Sequence, residues 1–470
     1  MEPENKFRQP LIIIGVTLIL LVAISFVNAE YEIPILNFKI KNVDILNDIK
    51  EFQTDETQSF KKFNEGLAQS SYMIQSASMD LIKLLFSNDK ISEFAIAANS
   101  LPLQGKKVSI TGNTKQLGYF YDALKTAKTK IVRVAHYGDS GIEGDLITSD
   151  LREKMQSKFG GNGAGWLGIT SQDITFRLTT KHSFSNNWES AALYSSNRNN
   201  LPLGISGEAC VPKGNAWVQY EVTPIRRYLK DFSLVRLYYA NAKSSSITYS
   251  FDNGTKQTAT LKTGSAVQEL ILKPAGRAKS IRIEFPAPDQ AYFYGVSLEN
   301  EPGIYIDNLP LRGNTGVDLG SLQINLLKEF SRYLDYKLII LEFGLNIAGS
   351  RNTDYSWYER EMVKVINNLK SAFPKTSFLM VGCPDKSIKK GTSLSTDPTI
   401  LKLIETQKNI AQKADIAFWS LFDAMGGENS MQTWVNANPP MAFKDYIHFN
   451  DQGAAKVASM LTDALLEFYK

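Results

Sequence analysis

The pattern of apolar and polar positions changes character several times along the chain. Residues 11–27 (LIIIGVTLILLVAISFV) form an uncharged apolar run. Lys6 and Arg8 precede it and Glu30 and Glu32 follow it, a charge order that keeps the N-terminus in the cytoplasm and exports the rest. The run is short for a span of about 20 residues. Val27-Asn28-Ala29 also offers small residues for cleavage. Residues 1–29 therefore read as a membrane anchor or a signal peptide. Either places the body of the protein outside the cytoplasmic membrane, periplasmic or extracellular. Residues 30–114 are mixed, with helical spacing such as Phe60-Phe63-Leu67, and predict a helical spacer.

Leu117–Ala127 has apolar residues on one helical face and precedes Ile131–Ala135, which reads as a buried strand. GGNGAGWLG, from Gly160, reads as a loop. Helical periodicity then disappears. Short β-type runs follow at Trp217–Val222, Leu234–Tyr239, Ile247–Phe251, Glu269–Leu272 and Ile281–Phe285, and Asp252-Asn253-Gly254 signals a hairpin. Evenly spaced strands of this kind predict a β-sandwich of jelly-roll type. After about residue 301 apolar strands alternate with helices. The strands are Leu338–Leu341, Ser377–Val381 and Ile416–Trp419; the helices are Trp357–Ala372, Thr399–Lys413 and Gln452–Tyr469. That alternation indicates a parallel α/β sheet. The expected organisation is one α/β domain built from 115–165 and 301–470, interrupted by an inserted β-sandwich over 166–300.

Composition narrows the function. The chain has 470 residues, enough for two or three domains, with 52 basic and 48 acidic residues and a net charge of +4. The charges are well mixed, so no electrostatic footprint for nucleic acid is present. Cys210 and Cys383 form no CxxC pair, which argues against a zinc or redox site; two separate buried thiols are expected over a disulfide between them, which an oxidising compartment would allow. No HExxH or P-loop occurs, so no metal or organic cofactor is called for. Any histidine-dependent mechanism must choose among His136, His182 and His448.

Ligands of parallel sheets bind at the carboxyl ends of strands. The first strand there runs into His136-Tyr137-Gly138-Asp139-Ser140, and Leu338–Leu341 runs into Glu342-Phe343-Gly344-Leu345-Asn346. Between them lies Leu311-Arg312-Gly313-Asn314, and near the end Asp445-Tyr446-Ile447-His448. Ser140 is the candidate nucleophile, and a serine hydroxyl needs a neighbouring base. His448 supplies the base, and Asp445 holds its tautomer and stabilises its cation. The backbone N–H groups of Ser140 and Gly313 and the side-chain amide of Asn346 are the candidate oxyanion donors. His136 is expected to support the nucleophile loop by packing and hydrogen bonding. Glu143 and Asp145 contact substrate hydroxyls or, more simply, sit at a helix N-terminus. His182 is expected at the surface. Trp188 and Trp217 either stack on sugar rings or pack in the core, the core being favoured for Trp217.

These four segments resemble, in order, the four blocks of the SGNH (GDSL-like) hydrolases. Gly138-Asp139-Ser140 looks like the first block, Gly313 matches the glycine of the second, Gly344–Asn346 the GxN of the third, and Asp445–His448 the DxxH of the last. Gly141 stands where a larger residue is common, and no Asp follows Asn346, so the substrate subclass is left open. The long stretch between Ser140 and Gly313 resembles the layout of peptidoglycan O-acetylesterases, in which a carbohydrate-binding-like β-sandwich interrupts the SGNH domain. The resemblance implies an SGNH-type flavodoxin-like three-layer fold and a cofactor-free serine esterase. Its substrate would be an acylated polysaccharide or peptidoglycan, with acetyl the expected acyl group. Two alternatives stay open: an O-acyltransferase using the same residues, and a glycan-binding protein without activity.

Overall fold

The computed structural model of the chain describes residues 31–33, 38–40 and 107–469, apart from 244, 286–289, 301, 350–353 and 391–392. Strand β1 (Ile131–Gly138) has parallel partners on both sides, β2 (Gly303–Pro310) and β3 (Tyr336–Glu342). Beyond β3 come β4 (Ser377–Gly382) and β5 (Ala417–Ser420), also parallel, and a short antiparallel edge, Thr111–Gly112. The order β2-β1-β3-β4-β5 is the flavodoxin-like doubly wound one. The chain leaves β1 in one direction and returns to the other side of it at β3. The crevice over the carboxyl ends of β1 and β3 is therefore the topological switch point, where such sheets bind ligands.

Both faces of this sheet are covered, which explains why its strands read as continuous apolar runs. Val132, Val134, Ile304, Ile306, Leu338 and Ile340 pack on one side with α1 (Gly118–Leu124), α2 (Thr148–Phe159) and the C-terminal helix α6 (Asp451–Leu466). Ala135, Tyr137, Leu309, Ile339, Leu341 and Phe378 pack on the other with α3 (Ile324–Leu334), α4 (Ser356–Ala372) and α5 (Pro398–Lys413). In α4 the buried set Tyr358, Met362, Val365, Ile366 and Leu369 is the apolar stripe of a 3.6-residue period.

Between α2 and β2 the chain builds two antiparallel sheets. One runs in the order Gln268–Leu272, Leu234–Ala240, Tyr292–Glu299, Glu208–Pro212, Trp188–Ala192; the other Gln257–Thr260, Ser246–Phe251, Ser280–Phe285, Ala216–Val222, Thr180–Phe184. Val235, Leu237, Phe293 and Val296 of the first interlock with Val218, Tyr220, Ile281 and Ile283 of the second. Tyr238 and Tyr294 point the other way and join Phe330 of α3 in the core of the parallel sheet. A buried ionic group ties the same junction. Glu299 lies between Arg133 of β1 (2.5 Å) and Arg236 (3.0 Å), and Asp307 of β2 accepts from Trp166 N–H (2.9 Å) and the Tyr336 hydroxyl (2.8 Å).

Several expectations need correction. The segment read as a loop from Gly160 contains a strand, Gly165–Leu167, which pairs with Tyr292–Glu299. Its Trp166 and Leu167 are core residues, and the surrounding glycines hid them. β2 and α3, unassigned from the sequence, complete the parallel domain. The hairpin signalled by Asp252-Asn253-Gly254 is present: Ser246–Phe251 pairs with Gln257–Thr260, and Asp252 and Asn253 both lie at positive φ. Within 30–114 the described residues are 31–33, 38–40 and 107–114: Tyr31–Ile33 and Phe38–Ile40 form an antiparallel pair and Thr111–Gly112 is a strand, all extended rather than helical, and a 3₁₀ turn begins at Thr114. The remainder of that spacer and the apolar run at 11–27 lie outside the described residues. Among the described residues no helix is long and apolar enough to cross a membrane.

Candidate active site

β1 delivers Gly138-Asp139-Ser140 to the switch point, where the chain turns sharply into a short 3₁₀ segment. Asp139 caps that turn by accepting from Gly141 N–H at 2.9 Å. The loop before α6 brings His448 to the same place. Ser140 Oγ lies 3.3 Å from His448 Nε2, and His448 Nδ1 lies 2.7 Å from Asp445 Oδ2. With Nδ1–H directed at the carboxylate, Nε2 is left to accept the serine proton. The other Asp445 oxygen accepts from the backbone N–H of Ile447 (2.9 Å) and His448 (3.1 Å). Against the cost of its partial burial, these bonds hold the Asp445 carboxyl below its ordinary range. The bond to Asp445 raises His448 above the ordinary histidine range, Asp139 adds to the rise, and burial and Arg312 oppose it.

The expected oxyanion donors lie on two loops of this crevice. Gly313 sits at φ +73° with open space where a Cβ would be, so the chain there requires glycine and leaves room beside its N–H. Asn346 is exposed, and its Nδ2 donates to Asn314 O at 3.0 Å, which joins the Gly313 and Asn346 loops. One N–H of that amide is left for an oxyanion. Gly344 is at φ +147°, and a Cβ there would come within 3.0 Å of Cys383. Buried Gln407 braces this turn by donating to Phe343 O (2.7 Å) and accepting from Cys383 N–H (2.8 Å).

Beneath Ser140 the sequence had pointed only to His136. That imidazole is wholly buried, with Nδ1 3.0 Å from Thr148 Oγ1 and Nε2 2.9 Å from Glu342 Oε2. Asn308 of β2 donates to the same Thr148 oxygen (2.8 Å) and to Ile142 O (2.9 Å). The threonine hydroxyl is thus free to donate to Nδ1, and His136 donates from Nε2 to Glu342. Asp139 is buried nearby, and burial pushes its carboxyl up to about 6. Glu342, Thr148 and Asn308 carried no signal of their own in the sequence, and Asp139 only its place in the Gly138-Asp139-Ser140 block; the strand order brings them together.

Glu143 and Asp145 have distinct places, neither at the first turn of α2. Asp145 is buried and takes a bidentate pair from Arg152 (2.8 Å each), with Arg177 at 3.3 Å and the Thr179 hydroxyl at 2.7 Å. Although burial works against it, this set holds the carboxyl below its ordinary value. Glu143 faces Arg312 at 3.6 Å, and its partial burial raises its carboxyl. His182 is half-buried rather than fully exposed. It stacks on Tyr220 with centroids 4.8 Å apart, and burial depresses it to about 4. Of the two tryptophans, the core, favoured for Trp217, is instead the place of Trp188. Trp188 packs edge-on against Phe285 in the sandwich core, whereas Trp217 faces outward under Arg282, 3.8 Å from its ring centre. Cys210 and Cys383 are separate buried thiols. Among the described residues no His/Cys/Asp/Glu group is arranged to hold a metal ion.

The α/β sheet and the four segments at its switch point resemble the SGNH-type hydrolase fold. The chain is similar to a solved structure titled "Peptidoglycan O-acetylesterase in action, 5 min", with a TM-score of 0.63 and 21% identity over 77% of this chain and 99% of that one. Two others match at lower similarity. A salicylyl-acyltransferase from a tetracycline biosynthetic pathway gives a TM-score of 0.28 at 13% identity, covering 63% of this chain and 95% of that one. A family two carbohydrate esterase from Cellvibrio japonicus gives 0.25 at 10%, covering 61% and 98%. At 21% identity the first likeness is one of fold. No family model matches the chain, and neither does any curated protein sequence.

Proposed function

We propose that the protein is a serine esterase that removes O-acetyl groups from a cell-envelope polysaccharide or peptidoglycan, outside the cytoplasmic membrane. The hydrogen-bonded series Ser140–His448–Asp445 at the switch point carries this reading. His448 Nε2 takes the Ser140 proton as Oγ attacks the ester carbonyl. Negative charge on the carbonyl oxygen is met by the N–H groups of Ser140 and Gly313 and the Asn346 amide, each such donor being worth about 10²–10³ in rate. The sugar oxygen leaves with the proton from His448, and water, activated by the same imidazole, releases acetate. Phe343, Leu345, Pro384, Ile447 and Phe449 line a cavity of about 20 Å³ beside Asp139 and His448, which supports a short acyl group over a long one. Attachment to the cytoplasmic membrane through 11–27 would keep the enzyme next to newly made envelope polymer.

The test is hydrolysis of 4-nitrophenyl acetate by the full chain beside Ser140→Ala. Steady turnover in the parent, lost by a factor of about 10⁴ or more in the variant, is expected. Equal rates in the two proteins exclude Ser140 as nucleophile.

A further inference from the structure

The loop that carries Asn346 has little to hold it from within. It begins and ends on glycines at positive φ, Gly344 at +147° and Gly349 at +90°, where the backbone is least restricted. Between them the N–H groups of Ile347 and Ala348 both donate to Gly344 O, at 3.0 and 3.1 Å. They make a single helical turn, whose last carbonyls must find partners elsewhere. An oxyanion donor works only if its place is fixed before the charge develops. The Asn346 amide is pinned at its tip by Asn314 O, and its backbone needs a separate hold.

A ring of groups beyond the catalytic residues supplies that hold. The peptide group between Ala348 and Gly349 is gripped at both of its polar atoms. Its oxygen accepts from Lys386 Nζ at 3.3 Å, and its N–H donates to Thr399 Oγ1 at 2.7 Å. Asp397 joins the two holders: its Oδ1 accepts from the Thr399 hydroxyl at 2.8 Å, and its Oδ2 lies 3.9 Å from Lys386 Nζ. The backbone closes the ring a second time, since Asp397 N–H donates to Lys386 O at 2.8 Å. The Lys386 and Asp397 side chains are 16% and 3% exposed, so water competes little with them. Both ends of the ring are anchored in the fold. Asp397 caps α5 by accepting from Thr399 N–H at 3.0 Å. Lys386 follows β4 and stands next to Asp385, whose buried carboxylate accepts from the Thr396 hydroxyl and from Met431 N–H, at 2.8 Å each.

We propose that Lys386, Asp397 and Thr399 are positioning residues for the oxyanion site. By fixing the Ala348–Gly349 peptide they fix Asn346, two residues earlier, so that its amide meets the charge on the carbonyl oxygen. They act through Asn346 rather than on the substrate. This role rests on the esterase reading above; the hold on the loop does not.

Two readouts separate the hold from its use. Amide hydrogen exchange of the full chain over 344–349 reads the hold without any substrate. Lys386→Met and Thr399→Val, each close to the parent side chain in size, are expected to exchange at least about tenfold faster there. Lys386→Arg, which keeps a donor and the charge, should stay near the parent. Kinetics with 4-nitrophenyl acetate read the use. In Lys386→Met and Thr399→Val kcat should fall by about 10- to 100-fold with KM little changed, the cost of a displaced catalytic group. In an Asn346→Ala background the same substitutions should cost nothing further, because the residue through which they act is gone. A general loosening of the fold would lower the rate in both backgrounds alike and lower the melting temperature. Thr399→Val keeps both charges and decides the matter if Lys386→Met does not fold. Unchanged exchange, unchanged kcat, or a loss that persists undiminished in the Asn346→Ala background overturns the proposal. A parent without Ser140-dependent turnover overturns the esterase reading and the positioning role with it, while exchange still shows whether the ring holds the loop.

Discussion

The loop that carries Ser140 stands on buried groups, whereas the loop that carries His448 is half exposed and holds itself. On the nucleophile side His136, Asp139 and Asp145 are at most 3% exposed, and partners from β2, β3 and α2 meet there. On the other side the His448 and Asp445 side chains are 41% and 43% exposed. Their bonds are local: Asp445 caps two N–H groups of its own loop, and Phe443 N–H closes it on His448 O at 2.9 Å. Among the described residues, a remote backbone bond reaches this loop from Ser387 N–H to Tyr446 O at 3.1 Å. The difference separates two tasks. A serine held on a sharp strand-end turn needs a support that the whole fold fixes. An imidazole needs a correct tautomer, which one neighbouring carboxylate can set.

This contrast predicts that damage to the two loops separates into rate and stability. The largest effect is expected from Asp445→Asn. The new amide can still cap the loop through its oxygen, but its NH₂ faces His448 Nδ1 and imposes the wrong tautomer. The loss in kcat is about 10⁴-fold. Because the group is exposed and its cap is kept, thermal stability should stay within about 0.5 kcal/mol of the parent. Kinetics with 4-nitrophenyl acetate and a melting curve read the two quantities. A fall in melting temperature that accounts for the lost activity breaks the contrast.

Arg152→Met is the opposite case. It leaves the Asp145 carboxylate buried with only Arg177 and Thr179, and it removes the bond from Arg152 Nε to Ile306 O (2.8 Å). Loss of one partner of a buried ion pair costs about 3–5 kcal/mol. Denaturant unfolding should show that loss, while kcat per folded molecule changes far less than in Asp445→Asn. An unchanged unfolding midpoint would mean that the buried pair does not support the nucleophile loop.

The same contrast explains what the sequence disclosed. Continuous apolar runs marked β1, β3, β4 and β5 because both faces of the sheet are covered, and the period of Tyr358 to Leu369 marked α4. β2 escaped because Asp307 and Asn308 interrupt its apolar run; both are buried, and both serve polar contacts at the site or the sandwich junction. The local Asp445–His448 loop was fully legible, since its chemistry lies within four residues. The support under Ser140 was not. Glu342 meets His136 across 206 positions and Asn308 meets Thr148 across 160, and only the strand order brings them together. His182 was misread for a related reason: its polar neighbours suggested solvent, but alternation along Thr180–Phe184 turns its ring onto Tyr220.

The smallest expected effect lies where the two loops meet electrostatically. In the proposed mechanism the base must be neutral to accept the Ser140 proton, so activity is expected to rise with pH as His448 loses its own proton. Asp445 raises that ionisation above the ordinary value of 6.5, so the acid limb of kcat/KM should have its midpoint above 6.5. Other charges acting on the imidazole are Asp139, which adds to the rise, Glu143, whose carboxylate the imidazolium stabilises, and Arg312, which opposes it. Asp139 is itself displaced by burial to about 6, so it is largely ionised where His448 titrates and favours the imidazolium. Asp139→Asn keeps an oxygen to accept from Gly141 N–H and removes the charge. The acid midpoint should therefore move to lower pH, by less than one unit, with little change in the rate on the alkaline plateau. A midpoint that stays in place would show that the buried side of the site holds the serine without tuning the base. A midpoint that moves up would require Asp139 to be protonated in the active enzyme.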